Sequence, residues 1–412
     1  MRVPSNTLFN QQTYMLTQQY EKMVNYNANL ASGKKLLRSS EDPVLASRIR
    51  QTNTYISNVQ AYDNNGILAK SRTEAFINSS SSMSNLISRA KELIIQAGND
   101  TYSNENRAAT AQELSGYMNT MLGIANSKDG NGEYIYAGFN SNTQPFIMQG
   151  NSYVYQGGYQ STQVDIGLNT STTYSESGYD VFGNIPTGNG SFTISANPAN
   201  TGTAYTELGG VSSGGAYVPD TYTLTFVTNS SGELAYQVVG ATSGQVIPTP
   251  PATAPANAPA FQANSSISFN GVTFKFTGTP QVGDQFTVAP SQGKSIFNSM
   301  NDLITLLKTP ITNDVEKAQF QQKLNQFNGD FTQMFNSLAS YQTTVGTRAG
   351  IIDDEITAND NLKREQTTIL SGLEDIDFAT AASRLTQQQL ALQVSQQGYL
   401  RIQNVLMQLL QM

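Results

Sequence analysis

Two clusters of carboxylates are the residues best suited to chemistry in this chain of 412 residues. The first is Asp353–Glu355, and the second is Glu374–Asp377. Paired carboxylates can serve as general acid and base when their surroundings drive their pKa values apart, and clustered carboxylate oxygens can bind Ca²⁺. Neither cluster has the spaced oxygen ligands of a calcium loop, and helix capping or a solvated helix face accounts for both. We therefore predict that the chain is not an enzyme and has no catalytic residue, metal site or cofactor.

The residue types that are missing exclude further kinds of site. The chain contains no histidine, cysteine or tryptophan, which excludes imidazole and thiolate metal sites, cysteine nucleophiles and the Ser-His-Asp triad. A net charge of −7 provides no basic footprint, so we expect no nucleic acid partner. Tyr217, Tyr222 and Tyr236 in predicted strands are compatible with sugar stacking, as in an adhesin or glycan-binding surface protein. Burial in or on the strands is the simpler explanation for them.

The sequence also bears on where the chain acts. Residues 1–7 contain no apolar run of the kind found in a signal peptide. No window approaches the ~18 continuous apolar residues of a membrane helix, so we expect no membrane insertion. The absence of cysteine fits a protein that is exported without cross-linking. We expect the chain to be cytoplasmic, or to leave the cell by a route that needs no cleaved signal.

The elements that must position these side chains follow the order helix, β, helix, which predicts the α+β class. Apolar residues recur at seven-residue spacing near both ends of the chain. Near the start they are Phe9, Leu16, Met23 and Leu30. Near the end they are Leu385, Leu392, Tyr399 and Leu406, with Ile402 between the last two. Such heptads are typical of coiled-coil helices, so we predict one long helix at each end.

Local signals predict where the other elements begin. Asp42 followed by Pro43 predicts the start of a second helix, and the capping-box spacing of Ser371–Glu374 predicts the start of the last one. The turn 129–132 predicts a hairpin whose strand follows at 134–136. Residues 186–290 alternate between apolar and polar types, so we predict an inserted antiparallel β domain there.

The two terminal helices carry almost no charge. There is none between Val3 and Tyr20, and Arg384 and Arg401 are the two charged residues between Phe378 and Met412. A helix that stays in water normally has a charged face, whereas amides and hydroxyls are cheaper to bury. We expect these ends to be covered on more than one side by other subunits. The alternative is an intramolecular hairpin within an ordinary bundle.

Several motifs near the helical ends resemble those of the bacterial flagellin family. Three lie in the first hundred residues: LASGKK at Leu30–Lys35, SEDPV at Ser40–Val44, and RAKEL with QA at Arg89–Ala97. Three lie further on: EYIYAG with PF at Glu133–Phe146, VGTR at Val345–Arg348, and LEDID at Leu373–Asp377. The Ala-Gly element and the LEDID element are closest to the members that form the junction between hook and filament.

The resemblance implies an elongated flagellin-like rod in three parts. Residues 1–40 and 373–412 would form a paired-helix, coiled-coil assembly domain. Residues 41–185 and 291–372 would form a helical rod domain with β-hairpins. Residues 186–290 would be an outward β domain.

The resemblance also implies a function. The chain would be a structural subunit of the hook–filament junction that is exported unfolded by the flagellar type III pathway and assembled through its terminal helices. Its partners would be copies of itself in a ring, a neighbouring hook-junction protein, flagellin, and an export chaperone on the C-terminal helix. The heptad residues listed above, from Phe9 to Leu30 and from Leu385 to Leu406 with Ile402, would form the assembly interface. A filament flagellin is the nearest alternative.

Overall fold

The computed structural model of the chain describes residues 5–212 and 217–410. The helices are α1 (Ser5–Ser32), α2 (Pro43–Ala97), α3 (Asn104–Ala125), α4 (Ile296–Lys308), α5 (Asp314–Glu374) and α6 (Phe378–Leu410). The strands of the first hairpins are β1 (Phe146–Gln149), β2 (Ser152–Tyr155), β3 (Thr162–Asp165), β4 (Ser171–Ser175) and β5 (Ile185–Pro186). The α+β class, the long helices at both ends and the antiparallel β domain are confirmed. No helix in the described ranges is long and apolar enough to cross a membrane.

Side-chain caps explain where the helices begin. The Asp42 carboxylate accepts hydrogen bonds from the backbone N–H groups of Val44 and Leu45, at 3.1 and 2.9 Å. Pro43 is the first residue of α2, where its missing N–H costs nothing. The predicted start of the second helix is therefore confirmed.

The predicted start of the last helix is wrong. Helix α5 continues through Ser371 and ends at Glu374, and the Ser371 hydroxyl donates to the Asp375 carboxylate instead of capping a helix. Helix α6 begins at Phe378, where the Asp377 carboxylate accepts from the N–H groups of Ala379 and Thr380 at 3.0 and 3.3 Å. The Thr380 hydroxyl and these N–H groups lower the pKa of Asp377.

The predicted strand at 134–136 is also wrong. The Asp129 carboxylate accepts from the N–H groups of Asn131 and Glu133 at 2.9 and 3.0 Å, which closes the loop on itself. Ile135 and Tyr136 are then both buried. Consecutive residues of a strand point to opposite faces, so burying both against one core requires a turn instead.

The described chain divides into two compact units. The first consists of Met1–Asn65, Ile166–Thr170 and Asp354–Met412, and the second consists of Gly66–Asp165 and Ser171–Asp353. Helices α2 and α5 each cross the boundary between the two units, so the units do not begin or end where helices do. The three-part division expected from the sequence stays a prediction.

The second unit contains a helical core and the inserted β domain. In the helical core, α3 packs against α4, and the β1–β2 hairpin places Phe146 opposite Tyr155. Phe146 meets the ring of Phe297 on α4 edge-on, with centroids 4.7 Å apart. Edge-to-face pairs of this kind contribute about 0.5–1.5 kcal/mol beyond their buried area. They attach the hairpin to the helices.

The inserted domain is formed by two antiparallel sheets. Its strands are β6 (Phe192–Ala196), β7 (Tyr205–Thr206), β8 (Gly210–Val211), β9 (Tyr222–Thr228), β10 (Leu234–Gly240), β11 (Gly244–Ile247), β12 (Ser266–Phe269), β13 (Val272–Thr277) and β14 (Gln285–Pro290), and β15 (Gly293–Lys294) follows it. One sheet has the order β11-β10-β9-β14-β6, and the other has the order β12-β13-β7. Alternate residues of β9, namely Tyr222, Leu224 and Phe226, are buried between them.

One face of α5 holds the inserted domain by hydrogen bonds to its backbone. The Gln322 amide accepts from the Thr206 N–H at 2.6 Å and donates to the Ile194 carbonyl at 2.8 Å. One turn on, the Asn325 amide donates to the Thr206 carbonyl at 2.9 Å. Gln322 and Thr206 are both buried, so these bonds do not compete with water.

We expect Gln322→Ala to lower the free energy of unfolding of the inserted domain by about 2–6 kcal/mol. The variant leaves the Thr206 N–H and the Ile194 carbonyl buried without partners, at about 1–3 kcal/mol each. Gln319→Ala is the matched control, because Gln319 bonds the Pro198 carbonyl at an exposed site on the same helix. Urea unfolding, monitored by hydrogen exchange of the insert, measures the free energy of unfolding of the two variants. Equal effects of the two variants would contradict the expectation.

A second expectation concerns pH. The backbone N–H of Ser243, together with those of Thr242 and Thr221, lowers the pKa of Asp220 from 3.8 to about 2. A carboxyl whose pKa is lower in the folded state adds stability above its unfolded pKa and loses it as pH falls through the folded pKa. The stability difference between the wild type and Asp220→Asn should therefore be full above the usual value of 3.8 and shrink towards pH 2. Urea midpoints across that range test this, and a constant difference would oppose it.

Candidate assembly interface

A short backbone bridge brings the two ends of the chain together. Gly33 follows α1 with a φ of +71°, a left-handed conformation that favours glycine. Its carbonyl accepts from the Ile376 N–H at 2.9 Å, and the Lys35 N–H donates to the Glu374 carbonyl at 2.7 Å. The Lys34 ammonium also pairs with the Glu374 carboxylate. The end of α1 is thereby joined to the segment that precedes α6.

From this bridge α1 and α6 run antiparallel. The rings of Phe9 and Tyr399, far from the bridge, have centroids 5.6 Å apart. Between them, the Gln388 amide donates to the Gln19 carbonyl at 3.2 Å. The two predicted heptad stripes therefore face each other and form the seam between α1 and α6.

The register of the seam follows from the heptad spacing. Seven residues on from Phe9 and seven back from Tyr399 lie Leu16 and Leu392, and one heptad further lie Met23 and Leu385. A last step makes Leu30 level with Phe378, whose ring is close enough to Gly33 that a Cβ there would lie 3.7 Å from it. The same register thus holds from one end of the pair to the other.

The seam is only partly closed. Leu16, Met23, Leu30, Leu385, Leu392 and Tyr399 are half-buried, and Phe9 is 43% exposed. Ala381 is the one buried residue among the α1 and α6 side chains that the structure describes. Two helices alone cannot remove their apolar stripes from water, and most helical stability comes from packing such a face. The pair therefore leaves apolar side chains exposed that would be buried in a complete helical core.

Hydroxyl side chains on these helices are already hydrogen-bonded within their own helix. Thr13 donates to the Phe9 carbonyl at 2.9 Å, Thr17 to the Thr13 carbonyl at 3.0 Å, and Thr386 to the Ala382 carbonyl at 2.9 Å. A polar group with a partner costs little to bury, whereas a charge needs an opposite charge. The uncharged faces of α1 and α6 can therefore be covered by another helix at low cost.

Comparison with known proteins identifies the family. A model of the bacterial flagellin N-terminal helical region matches residues 3–141. The solved structure of flagellar hook-associated protein-3 from Legionella pneumophila is 34% identical, covers 79% of this chain and 98% of its own, and has a TM-score of 0.76. The chain belongs to the flagellar hook-associated protein 3 family. The structure of the flagellar junction protein FlgL from the same organism is 35% identical, covers 74% of this chain and 99% of its own, and has a TM-score of 0.69. Flagellar hook-associated protein 3 of Salmonella typhimurium is 22% identical over 98% of both chains.

A second set of apolar residues on α1 and α6 of this hook-associated protein 3 family member is exposed. Its exposed members are Tyr14, Met15, Tyr20 and Val24 on α1, and Leu390, Val394, Leu400, Val405 and Met407 on α6. None of them belongs to the heptads at Phe9–Leu30 and Leu385–Leu406, because they lie at other positions of the repeat. Apolar residues that interrupt the uncharged face of a helix were the signal that could have identified them.

The remaining two predicted interface residues lie near the end of α6. Ile402 is 36% exposed, so it borders the exposed set. The side chain of Leu406 lies outside the described side chains, although its backbone belongs to α6. Whether the predicted residues contact a neighbour stays a prediction.

The carboxylate clusters have structural partners in the flagellar hook-associated protein 3 fold. Asp353 pairs with Lys70 at 2.7 Å, Glu374 pairs with Lys34, and Asp377 caps α6. The cap at Asp377 is of the kind expected from the sequence, whereas the two ion pairs join residues that are distant in sequence.

The tyrosines that prompted an adhesin interpretation belong to the core of the insert. Tyr222 is fully buried, and its hydroxyl donates to the Val218 carbonyl at 2.8 Å. Tyr217 and Tyr236 are half-buried against the same core. Packing in or on the core, and not sugar stacking, accounts for these three side chains.

Proposed function

We propose that this chain is a non-enzymatic structural subunit of the junction between flagellar hook and filament, assembled through α1 and α6. The observation that carries the proposal is the half-closed, nearly uncharged pair of terminal helices, with apolar residues on its outer faces. Membership in the flagellar hook-associated protein 3 family supports it, and the relative from Legionella pneumophila is called a flagellar junction protein.

The assembly step follows from the energetics of the pair. Holding one residue in a fixed conformation costs about 1–2 kcal/mol, and apolar burial recovers about 25 cal/mol per Å². With the seam half-exposed, the pair in a free subunit recovers little beyond this cost. Neighbouring copies in a ring supply the missing apolar and amide partners, so the terminal helices become fully ordered on assembly and assembly is cooperative.

The same surface indicates the remaining partners. Above and below the ring, the neighbouring hook-junction protein and flagellin would cover the outer faces of the pair. Before assembly, the exposed stripe that includes Leu390, Val394 and Leu400 would invite aggregation. An export chaperone on α6 would prevent this, and passage through the flagellar type III channel would deliver the unfolded chain.

Hydrogen exchange on the free subunit tests the assembly step. We expect amides across residues 5–32 and 380–410 to exchange orders of magnitude faster than those of the inserted domain, because the terminal pair opens locally. In the assembled state the same amides should become protected. Strong protection of both helices in the free subunit would refute ordering on assembly.

Electron microscopy of cells that lack this chain tests the junction role. We expect hooks without filaments, and restoration of filaments when the chain is supplied. A filament flagellin would instead be found along the whole filament, so labelling of the supplied chain separates the two functions. Label along the filament would refute the junction role.

A further inference from the structure

A cleft lined by tyrosines lies within the second unit, and no residue of α1 or α6 lines it. Its volume is about 340 Å³, near the lower limit of the about 300–1,000 Å³ typical of ligand sites. Its walls are the β1–β2 hairpin, the turn Tyr179–Gly183 and the start of α4. The aromatic residues that line it are Phe146, Tyr153, Tyr155, Tyr159 and Tyr179.

The tyrosines are held by the fold around them. The buried Tyr155 hydroxyl donates to the Gly158 carbonyl at 2.9 Å and accepts from the Gly178 N–H at 3.2 Å. Tyr159 packs edge-on against Tyr179, with centroids 4.9 Å apart, and against Tyr155 at 5.6 Å. At Gly183 a Cβ would lie 2.9 Å from the Tyr179 ring, so glycine allows that ring to lie against the backbone.

The solvent-facing side of the cleft has an exposed tyrosine ring and tyrosine hydroxyls that are not hydrogen-bonded to the protein. Tyr159 is 63% exposed even though its position is set by two neighbouring rings. Within the described residues, the hydroxyls of Tyr153, Tyr159 and Tyr179 have no hydrogen-bond partner. A rigid aromatic face costs little conformational entropy when it binds, and each hydroxyl can both donate and accept.

The charge at the cleft selects the kind of ligand. Its one cation, Lys294, is paired with Asp302 at 2.6 Å, and the chain has no charged residue from Tyr134 to Val164. The Asn298 amide is fully used, because it accepts from the Tyr153 N–H at 2.7 Å and donates to the Tyr153 carbonyl at 3.1 Å. Asp180, in the turn Tyr179–Gly183, is not among the lining residues. A neutral ligand with a flat apolar face for Tyr159 and hydroxyls for the other tyrosines fits this lining.

We propose that this tyrosine cleft binds one residue of a neutral oligosaccharide. The sugar ring stacks on Tyr159 through its C–H groups, and its hydroxyls bond those of Tyr153 and Tyr179. No residue of the terminal helices lines this site, so its test does not depend on the assembly proposal.

Ligand-observed NMR on the full chain tests the site with three neutral probes: maltotriose, cellotriose and triacetylchitotriose. We expect saturable binding of at least one probe with a dissociation constant in the millimolar range. Tyr159→Ala should weaken it at least tenfold, and Tyr159→Phe, which keeps the ring, should weaken it by less. Tyr14→Ala is the matched control, because Tyr14 on α1 is 64% exposed but lies outside the cleft, and it should bind like the wild type.

Other outcomes overturn the proposal. Failure of all three probes to bind would do so, as would equal binding by the wild type and Tyr159→Ala. Loss of assembly in Tyr159→Ala without any sugar binding by the wild type would instead assign the cleft to a contact between copies of the chain. Hydrogen exchange of the β1–β2 hairpin shows whether each variant keeps the fold.

Discussion

Leu392→Asp is expected to abolish incorporation of the chain into the flagellum while the second unit stays folded. Leu392 lies in the half-closed seam between α1 and α6, level with Leu16. A carboxylate without a partner in that seam, once neighbours close it, costs about 3–5 kcal/mol per subunit. That penalty lowers incorporation by about two to four orders of magnitude. Electron microscopy of cells supplied with the variant measures the number of filaments.

The control for this expectation lies within the same molecule. The urea midpoint of the inserted domain should be unchanged, because its core shares no residue with the seam. Filaments in normal number with Leu392→Asp would rule out the seam as a part of the assembly interface. A lowered midpoint for the insert would show that the variant acts through general unfolding.

Val394→Asp is expected to leave the free subunit unchanged and yet prevent assembly. Val394 lies two residues from Leu392 but faces away from the seam, and it is 62% exposed. In the free subunit the new carboxylate stays in water, so hydrogen exchange of α1 and α6 should match the wild type. Between subunits the same carboxylate is buried without a partner, at about 3–5 kcal/mol. The two assays together therefore separate the outward face from the seam.

Ser231→Asp is the matched control for both substitutions. Ser231 is exposed on the turn between β9 and β10 of the insert, where an added carboxylate stays in water. It should form filaments like the wild type. If Val394→Asp also formed them, the outward face would remain in solvent and the seam alone would carry the contact between copies.

Local signals in the sequence were sufficient for most of the helices and for the insert. Asp42 and Pro43 begin α2 where expected, because a cap depends on residues within one turn. Alternation in 186–290 identified the antiparallel domain, because the period of two is a property of each strand. The prediction at Ser371 was wrong, because two local signals lie within seven residues of each other. Helix α5 continues through Ser371, and the Asp377 carboxylate is the group that caps α6.

The candidate interface was only partly accessible from sequence. The heptads at Phe9–Leu30 and Leu385–Leu406 identified two helices with apolar stripes, and the missing charges indicated that both are covered. Heptads do not say which helix covers which. The bridge between Gly33 and Ile376 settled that, since it pairs the stripes with each other. Exposed residues such as Val394 are then left available for contacts with neighbouring subunits.

The sequence by itself determined that both ends are uncharged amphipathic helices, because spacing and composition are properties of a short stretch of chain. Tertiary structure alone decided that their stripes meet within one molecule and remain half-open. It also decided that Tyr222 is buried in the insert while Tyr159 is exposed in a cleft. The physical reason is the same in each case. Exposure depends on residues that are distant in sequence, and only the folded chain brings them together.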